Sequence, residues 1–335
     1  MALPQLANNP VSWRFCLAPM MQRTDRHFRY LMRLIAPNMR LYTEMVHVGA
    51  ILHGDCERFL AYSDVESPLA LQVGGSEPRE LAAATRIALN AGYDEVNLNC
   101  GCPSDRVQAG KFGACLMREP ARVRDCYDAM AAVTGDQRST SIKTRLGVDE
   151  LYSYEYFRDF IGIIADAGCR IFHVHARKAW LEGLSPRENR EIPPLEYQWV
   201  HRLKAEFPHL VVIINGGLNS IEQCRQQLSC VDGVMLGRAA YDDPFSMRAF
   251  DQQIFEWTDS DTGQFEIVER YLEYIDRQLS RGIYLKHMSR HLLNLFRNRP
   301  GAKLWRRYLT QKAHEKNADS RVIRVALDQL VAAAT

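Results

Sequence analysis

Eight short runs of β-branched or alternating apolar residues recur along the chain up to Leu236, and segments long enough for a helix separate them. This alternation is typical of βα units, in which each helix returns the chain to begin another parallel strand. Eight such units in about 250 residues have the size and strand count of an α/β fold of the (β/α)8 TIM barrel type. The predicted strands span residues 14–18, 41–46, 69–73, 95–99, 141–145, 171–175, 210–214 and 233–236.

The pattern changes after the polar run TDSDTG at residues 258–263, because the rest of the chain has only helical periodicity. Short connections between the predicted helices favour antiparallel packing in a small all-α helical bundle. The sequence therefore predicts a barrel domain over residues 1–255 and a C-terminal helical domain over residues 264–335. The predicted tail helices span residues 265–281, 283–298, 302–317 and 321–334, with Ser320 as the N-cap of the last.

The formal net charge of +2 conceals an uneven distribution of charge. Residues 264–335 contain 14 Lys and Arg against 7 Asp and Glu, so the tail is basic and the rest is acidic. A one-sided basic surface with aromatic residues is typical of nucleic-acid binding, whereas an ordinary solvated helix face is the alternative. The basic and aromatic residues that the third tail helix contributes are Lys303, Arg306, Arg307, Trp305 and Tyr308.

The composition is that of an ordinary globular protein, with 47% hydrophobic and 24% charged residues, which argues against collagen-like and disordered classes. The nine cysteines are an odd number, and the start MALPQLANNP lacks the features of a signal peptide. We therefore expect free thiols and a reducing, cytoplasmic location. No apolar run approaches the roughly 18 residues of a membrane span, so no membrane association is expected. The sequence also shows no sign of an obligate protein partner.

Polar residues recur at alternate positions near the ends of four predicted strands. Residues two apart on a strand share a face, so these side chains are predicted to line the mouth of the barrel. A buried Lys or Arg is costly unless it meets an anion or a partner, so the mouth is expected to hold a negative or polar group. A satisfied core residue is the alternative for each lone histidine. The residues are Gln72, Asn97, Asn99, Lys143, Arg145, His173 and His175.

Small residues follow the last two predicted strands, as Asn215-Gly216-Gly217 and Gly237-Arg238. Barrels commonly bind phosphate at these loops, where backbone N–H groups approach the ligand and an arginine adds charge. Two ordinary strand-to-helix turns are the alternative. The chain has neither a G-x-G-x-x-G after a strand nor a G-x-x-x-x-G-K-[ST], which argues against a Rossmann dinucleotide fold and a P-loop.

Flavin mononucleotide, FMN, suits such a barrel, with its phosphate at the last two loops and its ring over the mouth. Gln72 is then expected to hydrogen-bond the pyrimidine edge of the ring. Lys143 is expected to stabilise the charge that reduction places near N1 and the C2 carbonyl.

The segment Asn99-Cys100-Gly101-Cys102 places Cys102 at the start of the loop after the fourth strand. Hydride transfer from a reduced flavin to a conjugated C=C leaves an enolate, and a thiol nearby can supply the proton that the neighbouring carbon needs. Asn99 is expected to position the polarised carbonyl. A metal ligand is one alternative, although the paired spacing of a zinc site is missing. A buried structural thiol is the other, and we predict it for Cys16, Cys56, Cys126, Cys169, Cys224 and Cys230.

Several segments together resemble the tRNA-dihydrouridine synthases: Ala18-Pro19-Met20, LNCGCPSDRVQAGKFGACLM at 98–117, NGG at 215–217 and GR at 237–238. Two further stretches, at 175–195 and 287–309, resemble the A subfamily. The resemblance implies an FMN enzyme with an N-terminal barrel and a C-terminal helical tRNA-binding domain. It also implies that NADPH is used to reduce uridine in the D-loop of tRNA to 5,6-dihydrouridine, at positions 20 and 20a for this subfamily.

The resemblance also implies roles for individual residues. Cys102 would protonate uridine C5 after hydride reaches C6, and Asn99 would touch the tRNA. Lys303 stands where the subfamily has arginine, which keeps the charge but loses a bidentate phosphate contact. The implied FMN-binding residues are Ala18, Pro19, Met20, Gln72, Lys143, His175, Asn215, Gly216, Gly217, Gly237 and Arg238. The implied tRNA-orienting residues are Arg187, Arg190 and Lys303, to which the shared helix face adds Arg306 and Arg307.

Two other functions remain open at this stage. A flavin barrel that acts on a free pyrimidine, like dihydroorotate dehydrogenase, would share the thiol and the FMN but would leave the basic tail unexplained. A non-enzymatic RNA-binding protein would explain the tail but not the polar strand ends. A stacked uridine must be extruded before an enzyme can act on it, and a barrel mouth beside a basic surface suits that task.

Overall fold

The computed structural model describes residues 10–135, 139–258 and 262–333. Its eight strands form one parallel sheet in the order β1-β8-β7-β6-β5-β4-β3-β2. Between β1 and β2 the barrel closes through Leu17 N–H to Arg40 O and Arg40 N–H to Phe15 O, each 2.9 Å. The strands are β1 (Phe15–Leu17), β2 (Leu41–His47), β3 (Leu69–Gly74), β4 (Glu95–Cys100), β5 (Ser139–Arg145), β6 (Ile171–His175), β7 (Val211–Asn215) and β8 (Gly233–Leu236). The predicted (β/α)8 barrel is confirmed.

Helices follow the strands along the chain, and several begin where the sequence supplies a start signal. Proline occupies the first turn of α4 and of α6, where its missing N–H costs nothing. The helices are α1 (Arg26–Ile35), α2 (Val48–His53), α3 (Cys56–Phe59), α4 (Pro78–Asn90), α5 (Asp105–Ala109), α6 (Pro120–Thr134), α7 (Tyr154–Asp166), α8 (Tyr197–Glu206), α9 (Ile221–Leu228), α10 (Arg238–Asp242), α11 (Ser246–Phe255), α12 (Gln264–Leu279), α13 (Leu285–Ser289), α14 (Ala302–Lys312) and α15 (Arg321–Ala332). None of the helices in the described ranges is long and apolar enough to cross a membrane.

A buried polar network occupies the amino ends of the strands. The Glu95 carboxylate pairs with Arg40 at 3.0 Å, and both side chains are fully buried. Trp13 Nε1 donates to the same carboxylate at 2.8 Å, and the Tyr42 hydroxyl donates to it at 2.9 Å. Because three donors converge on one carboxylate there, this end of the barrel is a packed polar layer. Gln72, Asn99, Lys143 and His175, which the sequence singled out, lie nearer the carboxyl ends of the strands.

The chain divides into two compact units. The first consists of Met1–Gln22 and Met39–Gly237 and contains the eight strands. The second consists of Arg23–Asn38 and Arg238–Thr335, and it takes in α1, α10 and α11 as well as the tail helices. The division into a catalytic domain over 1–255 and a tRNA-binding domain over 264–335 stays a prediction.

Aromatic residues hold the second unit together around α1 and α12. The rings of Tyr30 and Tyr274 stack with their centroids 4.0 Å apart. The Tyr271 hydroxyl donates to the His27 carbonyl at 3.0 Å, and the Tyr274 hydroxyl lies 2.7 Å from His27 Nδ1. The first helix after β1 therefore packs with the tail helices.

The predicted helix over 283–298 is wrong in length, because only α13 and a following 3-10 turn, Arg290–Leu292, are regular. Side chains take the carbonyls that a longer α-helix would use. Trp305 Nε1 donates to Leu292 O at 2.8 Å, and Gln264 Nε2 donates to Leu295 O at 2.9 Å. At the start of α15, Asp319 Oδ1 accepts the Arg321 N–H at 3.0 Å, whereas the predicted cap, Ser320, makes no side-chain cap bond within the described chain.

Candidate active site at the carboxyl ends of the strands

Three buried amides form a hydrogen-bonded row across β3 and β4. Gln72 Nε2 donates to Asn97 Oδ1 at 2.8 Å, and Asn99 Nδ2 donates to Gln72 Oε1 at 2.9 Å. Asn97 Nδ2 continues the row to the Ser141 hydroxyl on β5 at 2.7 Å. The alternation that suggested inward-facing residues has brought them together, and each amide fixes the orientation of the next.

The loop after β4 holds Cys102 in a defined position. Asn99 Oδ1 accepts the N–H groups of Gly101 and Cys102, each at 3.0 Å, and the Ala114 N–H donates to the Cys102 carbonyl at 2.9 Å. Gly113 has φ +63°, and a Cβ there would lie 2.7 Å from the Cys102 carbonyl oxygen, so glycine is required. The Cys102 thiol is half-buried and donates to the Ser104 hydroxyl at 3.4 Å.

The other thiols lie in different surroundings. Cys16, Cys126, Cys169 and Cys224 are buried as predicted, and burial raises the pKa of the last three to about 12. The same prediction is wrong for two residues, because Cys56 is half-buried and Cys230 is exposed. Cys56 begins the short surface helix α3, and Cys230 lies in the turn after α9, where no core covers it.

Lys143 on β5 is a partly buried cation with a neutral partner. Its ammonium donates to Asn215 Oδ1 at 3.2 Å, and Asn215 Nδ2 in turn donates to the Met235 carbonyl at 2.7 Å. Burial lowers the pKa of Lys143 to about 7, the charge of Arg145 adds to that effect, and Cys102 opposes it. An ammonium group whose charge is so poorly compensated favours a negative or electron-rich ligand.

The two predicted histidines differ in depth. His173 Nε2 lies 2.7 Å from the Tyr42 hydroxyl, within the network around Glu95, so this residue belongs to the core, although its Nδ1 has no hydrogen-bond partner among the described residues. His175 lies nearer the carboxyl edge, where a Cβ on Gly216 would approach its Cδ2 to 2.7 Å. Burial holds the pKa of both rings well below the usual value, so both are neutral near pH 7.

Glycines in the loops after β7 and β8 let the backbone come close to neighbouring groups. Gly216 and Gly217 have φ +115° and +71°, a conformation that other residues rarely adopt. A Cβ on Gly237 would lie 3.3 Å from Met20 Sδ and 3.4 Å from Ala18 Cβ. The segment Ala18-Pro19-Met20 therefore lies against the loop after β8. Arg238 follows directly in the chain as the first residue of α10.

The long loop after β6, residues 177–195, is ordered by a residue that sequence analysis missed. Asn189 is buried, its Oδ1 accepts the Trp180 N–H at 2.8 Å, and its Nδ2 donates to the Trp180 carbonyl at 2.9 Å. Asp149 adds a second anchor, since its Oδ1 accepts the Leu181 N–H at 2.8 Å. An asparagine in a polar loop gives no signal in the sequence that it is buried.

A family model described as Dihydrouridine synthase (Dus) matches residues 16–332. The chain is 51% identical over 327 residues to the tRNA-dihydrouridine(20/20a) synthase of Escherichia coli (strain K12), covering 97% of this chain and 94% of that one. It belongs to the dihydrouridine synthase family. A protein of the same description from Vibrio vulnificus (strain CMCP6) is 49% identical over 320 residues, covering 95% of this chain and 97% of that one.

Solved structures of other proteins share the barrel fold of this dihydrouridine synthase family member, although their sequence identity to it is much lower. The old yellow enzyme homologue from Zymomonas mobilis aligns with a TM-score of 0.51 and 13% identity, covering 72% of this chain and 88% of that one. Morphinone reductase aligns with a TM-score of 0.50 and 14% identity, covering 72% and 86%.

The basic residues that the sequence singled out in this family member are exposed in their respective units. In the first unit, the Arg187 side chain is 80% exposed and lies 3.6 Å from Glu191, and Arg190 is exposed. In the second, Lys303, Arg306 and Arg307 lie exposed on α14. Trp305 does not join them, because it is fully buried and belongs to the core, and Tyr308 is half-buried.

Proposed function

We propose that this protein is an FMN-dependent tRNA-dihydrouridine synthase that reduces uridines 20 and 20a of the tRNA D-loop, with NADPH as the reductant. The observation that carries the proposal is the half-buried Cys102 thiol on a fixed loop at the same barrel edge as Gln72, Asn99 and Lys143. Membership of the family and about half identity to proteins described as tRNA-dihydrouridine(20/20a) synthases support it.

The residues at the carboxyl edge fit a flavin phosphate and ring. Gly216 and Gly217 have positive φ angles and no side chain, so a phosphate can approach their backbone closely. Lys143 offers a positive charge to the ring, because its partner, the Asn215 amide, is neutral and does not compensate that charge. When bound, the flavin supplies the hydride. In this proposal the residues that hold it are Ala18, Pro19, Met20, Gln72, Lys143, His175, Asn215, Gly216, Gly217, Gly237 and Arg238.

The residues of the chain have separate tasks in the reduction of the uridine C5=C6 bond. Lys143 stabilises negative charge at the flavin, and a negative partner keeps its ammonium protonated. Cys102 delivers the proton, so its S–H bond breaks, a C–H bond forms at C5 and a thiolate remains. Asn99 touches the tRNA while its Oδ1 holds the backbone of the cysteine loop.

Binding of the folded RNA falls to the exposed cations. We assign backbone phosphate contacts to Arg187 and Arg190 in the first unit and to Lys303, Arg306 and Arg307 in the second. A free pyrimidine would need none of these side chains. A tRNA substrate also implies that the protein works in the cytoplasm.

The test is the dihydrouridine content at each D-loop position of tRNA from cells lacking the protein, read by reverse-transcription arrest after alkaline ring opening. We expect loss confined to positions 20 and 20a, restored by the wild-type gene. Unchanged dihydrouridine at those positions, in cells without a second enzyme for them, would refute the proposal. The cofactor is tested separately, by comparing the absorbance spectrum of the flavin released from the purified protein with that of FMN.

A further inference from the structure

The last residue of β5, Arg145, joins two loops at the candidate active site. Its Nε donates to the Gly101 carbonyl in the cysteine loop at 2.9 Å. One of its terminal nitrogens donates to the carbonyls of Lys178 and Asn189 in the loop after β6, each at 2.9 Å. The sequence placed Arg145 among residues facing a ligand, whereas its donors are directed at the protein's own backbone.

The contact with Gly101 completes the restraint on Cys102. The Gly101 N–H donates to Asn99 Oδ1, and the Gly101 carbonyl accepts from Arg145, so both polar groups of that residue are fixed from opposite sides. A Cβ on Gly101 would lie 3.2 Å from the Thr144 carbonyl carbon and 3.4 Å from Arg145 Cγ. The loop that presents the thiol therefore packs directly on the end of β5.

Burying a charged group in order to connect two loops costs free energy of desolvation. Arg145 is only 4% exposed, and carbonyl dipoles surround it in place of a carboxylate. Burial lowers the pKa of Arg145 to about 10, and attraction by the thiolate form of Cys102 opposes that shift. The guanidinium is thus charged near neutral pH.

We propose that Arg145 is the positioning residue for Cys102, because it fixes the loop after β4 that presents the thiol against the loop of residues 177–195. The inference rests on the proposed role of Cys102. Because Arg187 and Arg190 lie on the second loop, the same guanidinium connects an RNA-binding segment to the proton donor.

Arg145→Gln and the milder Arg145→Lys test this, each made alone and together with Cys102→Ala. Flavin content and NADPH-dependent flavin reduction are expected to match wild type, whereas the midpoint of thermal unfolding is expected to fall because three carbonyls lose their donor. At saturating tRNA, single-turnover oxidation of the reduced protein is expected to slow about 100-fold in Arg145→Gln, because small misplacements of a reacting group cost that much. One ammonium cannot reach carbonyls in two loops, so Arg145→Lys is expected to lose at least about tenfold.

The double variants separate positioning from a general structural effect. If Arg145 acts through Cys102, adding Arg145→Gln to Cys102→Ala slows tRNA reduction no further. Multiplied effects, or wild-type rates in Arg145→Gln, would overturn the inference. If Arg145→Gln lowers flavin content, Arg145→Lys decides by the same criteria. Arg170→Gln is the control, because it removes an exposed arginine, just before β6, that donates to the Ala165 carbonyl near the end of α7. A wild-type protein that fails to reduce tRNA would refute the proposed function instead.

Discussion

At the scale of single residues, what distinguishes Cys102 from the other thiols is its surroundings. It lies on the loop after β4, where its N–H donates to Asn99 Oδ1 and its carbonyl accepts the Ala114 N–H, so both of its peptide groups are held. Cys102→Ala is expected to bind flavin and tRNA normally but to lower single-turnover dihydrouridine formation by roughly 100- to 10,000-fold, the usual contribution of a general acid. Cys230→Ala, which removes an exposed thiol after α9, is the control and should match wild type. Equal turnover in the two variants would remove Cys102 from the proton transfer.

Lys143 makes flavin binding depend on pH. Its pKa is lowered to about 7 by burial, so in the free protein it loses its charge as the pH rises through neutrality. Negative charge on the reduced flavin ring favours the charged form of Lys143, so the Kd for reduced flavin should rise above pH 7 by up to about tenfold per pH unit. Lys143→Met should flatten this dependence, and titration with riboflavin removes the contribution of the phosphate group. A wild-type Kd that is constant between pH 7 and 9 would contradict the assignment of Lys143.

The spacing of residues on a strand predicts which face they occupy but not which partner they find. Gln72 and Asn99 follow a period of two and do meet at the barrel edge. Arg145 obeys the same pattern, yet its partners are carbonyls that loops far apart in sequence bring to it. Trp305 sits among basic residues in the sequence, although helical packing turns it into the core. Contacts made by loops and by tertiary packing carry no local signal, and these are the parts that the sequence could not predict.

At the scale of secondary structure elements, the strands were predictable because buried parallel strands are short apolar runs between helix-length segments. The conformation of the segment after α13 was not predictable, because the carbonyls of Leu292 and Leu295 accept hydrogen bonds from side chains that lie elsewhere in the sequence. Local periodicity predicts a helix there, but hydrogen bonds from distant side chains take the place of the bonds within that helix. The same kind of nonlocal bond organises the loop of residues 177–195.

The contribution of Asn189 to the order of the loop of residues 177–195 can be tested by substitution. Asn189→Asp keeps the shape but removes the amide donor to the Trp180 and Leu184 carbonyls, which lie 2.9 and 3.1 Å away. We expect faster tryptic cleavage at Arg187 and Arg190 and weaker tRNA binding, with flavin content unchanged. Asn219→Asp, in the turn before α9, serves as the control substitution. Unchanged cleavage rates would show that Asn189 does not hold the loop.

At the scale of the whole molecule, a net charge of only +2 is compatible with RNA binding because the basic residues are concentrated in particular segments. Changing Lys303, Arg306 and Arg307 together to Ala should weaken tRNA binding and reduce the slope of log K against log salt by about 2–3, since each lost phosphate contact removes nearly one released counterion. NADPH oxidation by a small chemical acceptor should stay at the wild-type rate, because that reaction needs no RNA. Arg124, which is exposed, and Arg158, which is half-buried, pair with Asp125 and Asp159 and provide a control for the lost charge itself. If the Ala variants of both sets change the salt slope equally, the α14 face has no special role, and general electrostatic attraction accounts for the binding.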